Sequence, residues 1–215
     1  FKQFNKLMKE MKTRILTFAF FCLSILFVFA NHKKFVSNQL QVILHKDLVE
    51  GSYYFKNDQL TQIDINFPSL SHNMIPIRTY IARHYLNQKK YEDALYNVDY
   101  AIEKNPFSVY SFYLKARIYL DMDRQKEALN YIEKSYLLSN STDYVAALYF
   151  TLLQENKDYE KLVSNYSKVK NSLNEIIWSY YISAINSVDA KIYDSQIFEI
   201  KKRYNYLKYN EMFKE

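Results

Sequence analysis

Small residues recur at a fixed interval in the middle of the chain. Ala82 recurs as Ala116 and Ala94 as Ala128, so both pairs are 34 residues apart. A period of this length is typical of a helical hairpin that buries its apolar face by stacking on the next copy. The repeat therefore predicts an all-α fold. The positions that define it in the two copies are Ala82, Tyr85, Tyr91, Ala94, Ala101 and Pro106, then Ala116, Tyr119, Ala128 and Ser135.

This pattern resembles the tetratricopeptide repeat (TPR) family. The first copy matches the small, aromatic and proline positions of that motif, and the second has Gln125 and Asn140 at two of them. A third copy keeps Tyr159, but Phe150 and Leu162 replace the small residues, which disfavours close helix packing there. The resemblance implies a short right-handed TPR-like α-solenoid over residues 75–215.

Glycine and cysteine are almost absent, which excludes several kinds of site. One glycine cannot build a phosphate-binding loop or a nucleophile elbow, and one cysteine, Cys22, cannot form an internal disulfide or a cysteine zinc site. The four histidines lack metal-binding spacing. The sequence therefore predicts no catalytic residue, no metal site and no cofactor. The net charge of +6 is spread along the chain and indicates a solvated basic surface, with no nucleic-acid partner.

Residues 15–30 form an uncharged apolar run near the N-terminus. A helix of this length spans about 24 Å, and flanking Lys and Arg side chains can extend towards the lipid headgroups. The basic segment 1–14 precedes the run, so the positive-inside rule predicts a transmembrane helix with a cytoplasmic N-terminus.

A cleaved signal peptide is an alternative interpretation of the same run. From Met11 the chain shows a basic stretch, an apolar stretch and a small residue, Ala30, after which cleavage would release the remainder. A buried helix of a soluble protein is a third interpretation. The first two both place the rest of the chain outside the cytoplasm.

The segment between the apolar run and the repeats is predicted to be a connecting hairpin and linker, residues 31–74. Its two arms are residues 42–55 and 59–66, although alternation at Ile63, Ile65 and Phe67 also fits a short extended piece. At the C-terminal end, apolar residues at helical spacing predict a last helical pair, residues 174–188 and 192–207.

Helical phase within the repeats predicts one face that a partner can contact. Arginine offers forked hydrogen bonds to carboxylates, and tyrosine offers stacking area, so this face would suit an acidic or extended peptide of a partner protein. Pairing of both arginines with local carboxylates, without a partner, is the alternative. The predicted partner-binding residues are Thr79, Arg83, Leu86, Tyr110, Tyr113, Arg117 and Leu120.

The order of parts is similar to the C-terminal region of bacterial O-antigen ligase-like membrane proteins that carry a TPR tail. The similarity rests on the order of apolar helix, short hairpin and repeats, and on four short motifs: YEDAL at 91–95, NPF at 105–107, YLKARIYL at 113–120 and EIIWSYY at 175–181. It implies a membrane-tethered, extracytoplasmic interaction module at the bacterial inner membrane, with its repeats in the periplasm. A lipid-linked glycan becomes a partner only if the chain belongs to such a ligase. The alternative is an independent secreted or periplasmic TPR adaptor.

Overall fold

The computed structural model of the protein describes residues 2–54, 70–71, 74–172, 174–188 and 190–209. Throughout these ranges the regular secondary structure is helical, which confirms the all-α prediction. The chain divides into two compact units, Phe1–Ser71 and His72–Glu215.

The first unit is dominated by one long helix, α1, Lys2–Glu50. Neither glycine nor proline occurs between these residues, so nothing in the backbone interrupts the helix. The basic segment, the apolar run and the start of the predicted connecting hairpin all lie on this one helix, and no separate helix begins at Val42. The second arm, residues 59–66, and the alternation at 63–67 lie outside the described residues.

The end of α1 coincides with the single glycine of the chain. Gly51 has a φ of 67°, the left-handed conformation that glycine adopts without strain. The Asp47 carbonyl accepts a hydrogen bond from the Ser52 backbone N–H at 2.9 Å. The Asp47 carboxylate also accepts from the Ser52 hydroxyl at 3.2 Å and from the Tyr54 N–H at 3.1 Å. The first bond satisfies a carbonyl in the last turn of the helix, and the other two hold the chain that follows against Asp47.

The second unit consists of successive helical hairpins. Their bounds are α2 Ile77–Asn87, α3 Tyr91–Lys104, α4 Val109–Asp121, α5 Gln125–Leu138, α6 Asp143–Glu155, α7 Tyr159–Ser164, α8 Tyr166–Val169, α9 Glu175–Ile185 and α10 Ala190–Tyr209. Helices α2, α4 and α6 end at residues 87, 121 and 155, and α3, α5 and α7 begin at 91, 125 and 159, so both boundaries recur every 34 residues. The last pair, α9 and α10, lies where the sequence predicts it.

The turns inside the first three hairpins share one backbone geometry. Lys89, Asp123 and Lys157 have φ values of 58°, 59° and 56°. The residue after each of them donates its N–H to a carbonyl five residues earlier, at 2.9 Å in all three hairpins. This is the Schellman arrangement that ends a helix with a left-handed residue. Here non-glycine residues adopt it at all three turns.

The small residues of the repeat pattern lie between the helices of the hairpins. Ala82 and Ala94 in the first hairpin and Ala116 and Ala128 in the second are fully buried. The Ser135 hydroxyl, also buried, donates a hydrogen bond to the Val109 carbonyl at 2.8 Å. Of the other pattern residues, Ala101 is buried, Tyr85, Tyr91 and Tyr119 are half-buried, and Pro106 is exposed in a turn.

The third hairpin packs in spite of its large residues. Phe150 and Leu162 are fully buried, and the Phe150 ring lies 5.5 Å from that of Tyr136 and 5.1 Å from that of Tyr181. The second arm of this hairpin is divided into α7 and α8 at Asn165. The Asn165 side chain donates to the Lys161 carbonyl at 2.8 Å, the kind of local bond that competes with helical hydrogen bonding.

Candidate partner-binding face

A partly exposed aromatic cluster spans two neighbouring hairpins. On α4, the rings of Tyr110 and Tyr113 stack with centroids 6.0 Å apart. Tyr144, on α6, meets the Tyr113 ring edge-on at 4.6 Å and the Tyr110 ring at 6.3 Å. Tyr144 keeps 43% of its surface exposed. We call Tyr110, Tyr113 and Tyr144, together with Arg117, the tyrosine–arginine face.

Arg117 supplies the positive charge of the tyrosine–arginine face. Its Nη1 donates to the Tyr113 hydroxyl at 3.2 Å, one turn away on α4. Partial burial by itself lowers the pKa of Arg117. The hydrogen bond and electrostatic interaction with Tyr113, together with the nearby charge of Asp121, outweigh this effect, so the pKa of Arg117 is higher than its ordinary value. Burial, with a smaller contribution from Tyr113, raises the pKa of Tyr144. The face therefore presents a fixed cation beside three tyrosine rings.

The predicted partner-binding residues do not form one uniform surface. Tyr110, Tyr113, Leu86 and Leu120 are half-buried, and Arg117 is exposed. Thr79 is fully buried, with its hydroxyl 2.7 Å from that of Ser111, so it joins two helices and offers no surface to a partner. Arg83 retains only 8% exposure. The two arginines that the repeat aligns therefore differ, because Arg117 is exposed whereas Arg83 is almost completely buried.

Tyr144 belongs to the face but is missing from the residues predicted on the sequence. It follows Tyr110 by one full repeat, so the 34-residue period contains the signal. Phe150 and Leu162, in place of small residues, obscure the third copy of the pattern and with it the surface position of Tyr144. Ala147 occupies the position equivalent to Tyr113.

The first unit contains a second candidate surface. The part of α1 from Met11 to Glu50 is long and apolar enough, by length and composition, to cross a membrane. The large apolar side chains from Ile15 to Phe29 are exposed, among them Phe20 at 74% and Phe27 at 71%. Exposed apolar area on this scale is unfavourable in water and marks a site that contacts lipid or protein.

Among the described residues, no group of three or more His, Cys, Asp or Glu side chains converges as metal ligands would. Cys22 is a free, half-buried thiol within the apolar part of α1. Comparison with family models and with curated proteins finds no match for this sequence. The functional argument therefore depends on the geometry of the face and of α1.

Proposed function

We propose that this protein is a membrane-tethered TPR-like module that binds an extended acidic segment of a partner protein. The observation that carries the proposal is the partly exposed cluster of Tyr110, Tyr113 and Tyr144 beside the exposed Arg117. Tyrosine gives large contact area at low entropic cost, and arginine gives charge-assisted bonds to carboxylates. The cluster spans α4 and α6, so an extended chain could contact successive repeats.

The TPR-like part of the proposal is supported by the recurrence of helix boundaries, left-handed turns and buried small residues at one spacing. In a stack of such hairpins, the first helices together form a continuous surface. The packing of α2 against α4 and of α6 against α9 is consistent with this arrangement.

The tether in the proposal is α1. Basic residues dominate its N-terminal end, which supports an orientation with that end in the cytoplasm and the second unit in the periplasm. Within this proposal, the module forms the tail of an O-antigen ligase-like glycan transferase. The alternative is a secreted or periplasmic adaptor released after Ala30.

The binding experiment compares Arg117→Glu with a matched control. The full chain is placed in lipid nanodiscs, and its binding to a library of extended acidic peptides is measured by fluorescence anisotropy. Arg117→Glu should weaken binding about tenfold or more, because it replaces a charge-assisted bond by repulsion. Lys126→Glu, the same charge change at an exposed position of α5, should bind as the unchanged protein does.

Circular dichroism of both variants checks that helicity is retained. Equal affinity of Arg117→Glu and the unchanged protein would contradict the proposed face. An equal loss in both variants would show that net charge, and no particular site, determines binding.

Tethering and orientation are tested separately in cells that express the full gene. We expect the protein to remain in the membrane after alkaline extraction. We also expect protease to cleave the second unit only after the outer membrane is opened. Recovery in the soluble periplasmic fraction, starting at residue 31, would favour the released adaptor. If the reading frame continues upstream of Phe1 through several apolar segments, that result would favour the proposal that the module is the tail of a glycan ligase.

A further inference from the structure

The C-terminal half of α10 has an outward face that the peptide-binding proposal does not use. Phe198 is 63% exposed and Tyr206 is 55% exposed, whereas Ile197, Ile200 and Leu207 are buried on the opposite side of the helix. Two large aromatic side chains exposed on one face of α10 form an apolar patch of the kind that marks an interaction site.

Basic residues accompany these rings. Lys202 lies midway between Phe198 and Tyr206, at intervals of four residues, so all three share one face of the helix. The Arg203 guanidinium lies 5.5 Å from the centroid of the Tyr206 ring. From Ile197 to Tyr209, the cations are Lys201, Lys202, Arg203 and Lys208, against the single acid Glu199.

We propose that this face of α10, defined by Phe198, Lys202 and Tyr206 with Lys201 and Arg203 beside them, lies on a membrane surface and binds anionic lipid headgroups. Aromatic rings bury favourably at the boundary between headgroups and acyl chains, while lysine and arginine contact the phosphates. The combination of exposed rings and clustered cations on one helix face matches both parts of that environment.

The charge and the ring chemistry favour a lipid surface over an acidic protein. An acidic protein would pair with the cations but would need a shaped apolar pocket for Phe198, whereas the boundary between headgroups and acyl chains buries an aromatic ring without such a pocket. The inference rests on the membrane tether in the proposed function, because α1 would keep a bilayer within reach. It does not depend on peptide binding by the tyrosine–arginine face.

The experiment measures how far lipid shields this face in the full chain. A Cys22→Ser background carries Asn205→Cys, exposed on the same face, labelled with an environment-sensitive fluorophore. The protein is reconstituted into vesicles of phosphatidylcholine alone or of equal parts phosphatidylcholine and phosphatidylglycerol. Quenching by acrylamide, which is uncharged, reports how accessible the label is to water. A label at Asn130→Cys, exposed on α5, serves as the control site.

The anionic vesicles should lower the quenching constant at position 205 several-fold and leave position 130 unchanged. The triple variant Lys201→Gln, Lys202→Gln, Arg203→Gln should remove the protection. A control triple variant at the exposed hairpin residues Lys89, Lys126 and Lys157, also changed to Gln, should retain it. Raising the salt concentration should weaken protection in the unchanged protein, because surface electrostatics are screened.

Each other outcome has a defined meaning. Equal quenching in the two vesicle types overturns the proposal, and so does equal loss in both triple variants. Protection that depends on protein density but not on lipid charge would identify a second copy of the chain as the occupant. If the chain does not remain with the vesicles on flotation, the tether itself has failed; if it remains but position 205 is unprotected, only the inference about α10 has failed.

Discussion

The Thr79 and Ser111 hydroxyl oxygens lie 2.7 Å apart although the residues are 32 positions apart in the chain. Thr79 is on α2 and Ser111 on α4, so the bond joins the first helices of successive hairpins. Ser111 also hydrogen-bonds Ser108, at 2.7 Å, and all three side chains are buried. A polar contact of this kind specifies how one hairpin sits on the next, because a shift would leave buried hydroxyls without partners.

The first prediction concerns this bond. Thr79→Val keeps the shape of the side chain but removes the hydroxyl, so it should lower the free energy of unfolding by about 1 kcal/mol. The measurement is urea denaturation followed by far-ultraviolet circular dichroism. Ser141→Ala, which removes an exposed hydroxyl, is the control and should leave stability unchanged. A neutral Thr79→Val would mean that the bond contributes nothing to stability.

The second prediction contrasts equivalent positions in two hairpins. Ala128 and Leu162 are one repeat apart, and both are fully buried. Ala128→Leu should overpack the second hairpin and cost about 1–3 kcal/mol. Leu162→Ala should leave a cavity in the third hairpin and cost about 2–5 kcal/mol. Thermal and chemical denaturation of the two variants test whether the second hairpin requires a small side chain at this position and the third hairpin a large one.

A stabilising Ala128→Leu would show that the second hairpin has unfilled space, which contradicts close helix approach. The double variant is also informative. The two losses of unfolding free energy should add in the double variant if the hairpins pack independently at these positions. The loss in the double variant should differ from that sum if a change in one hairpin alters the packing of the other.

The third prediction is a loss of stability at alkaline pH. Burial raises the pKa of Tyr136 to about 12, and burial likewise raises the pKa of Tyr149 and Tyr181. In the unfolded chain these phenols ionise near their ordinary pKa of about 10, so the folded state holds the protons more tightly. The stabilisation is therefore complete below about pH 10 and declines as the pH rises towards 12.

Denaturant titrations over this pH range, with tyrosinate absorbance recorded in parallel, measure the decline. Tyr136→Phe removes one of these protons and should make the slope of stability against pH shallower. The difference should be at most about 1.4 kcal/mol per pH unit, the value for one proton. An unchanged slope in Tyr136→Phe would show that this phenol does not contribute.

The fourth prediction concerns the left-handed turns. Lys89→Gly should raise the free energy of unfolding by up to about 1 kcal/mol, because glycine adopts a positive φ without the steric cost that lysine bears. Lys90→Gly, at the next residue with a φ of −88°, gains nothing from this freedom and should be neutral or destabilising. Differential scanning calorimetry distinguishes the two. Equal effects would mean that backbone strain at Lys89 is negligible.

The sequence predicts the hairpins well because their signal is local and periodic. Ala82 and Ala116 mark helix contacts directly, and the last helical pair follows from apolar spacing alone. The partner-binding face is predicted less well, because exposure depends on which helix packs against which. Thr79 has the right helical phase, but Ser111 on α4 covers it. The break at Asn165 depends on a side-chain bond to the backbone, which spacing does not reveal.

The continuity of α1 has a mechanical consequence. A helix of 49 residues is about 74 Å long, more than twice the roughly 30 Å of a hydrocarbon core. Without glycine or proline before Gly51, the helix has no hinge, so a rotation or axial displacement at one end is transmitted along its length. If the apolar part of α1 crosses a membrane, a rotation or axial displacement of the helix on one side of the bilayer also moves the part of the helix on the other side.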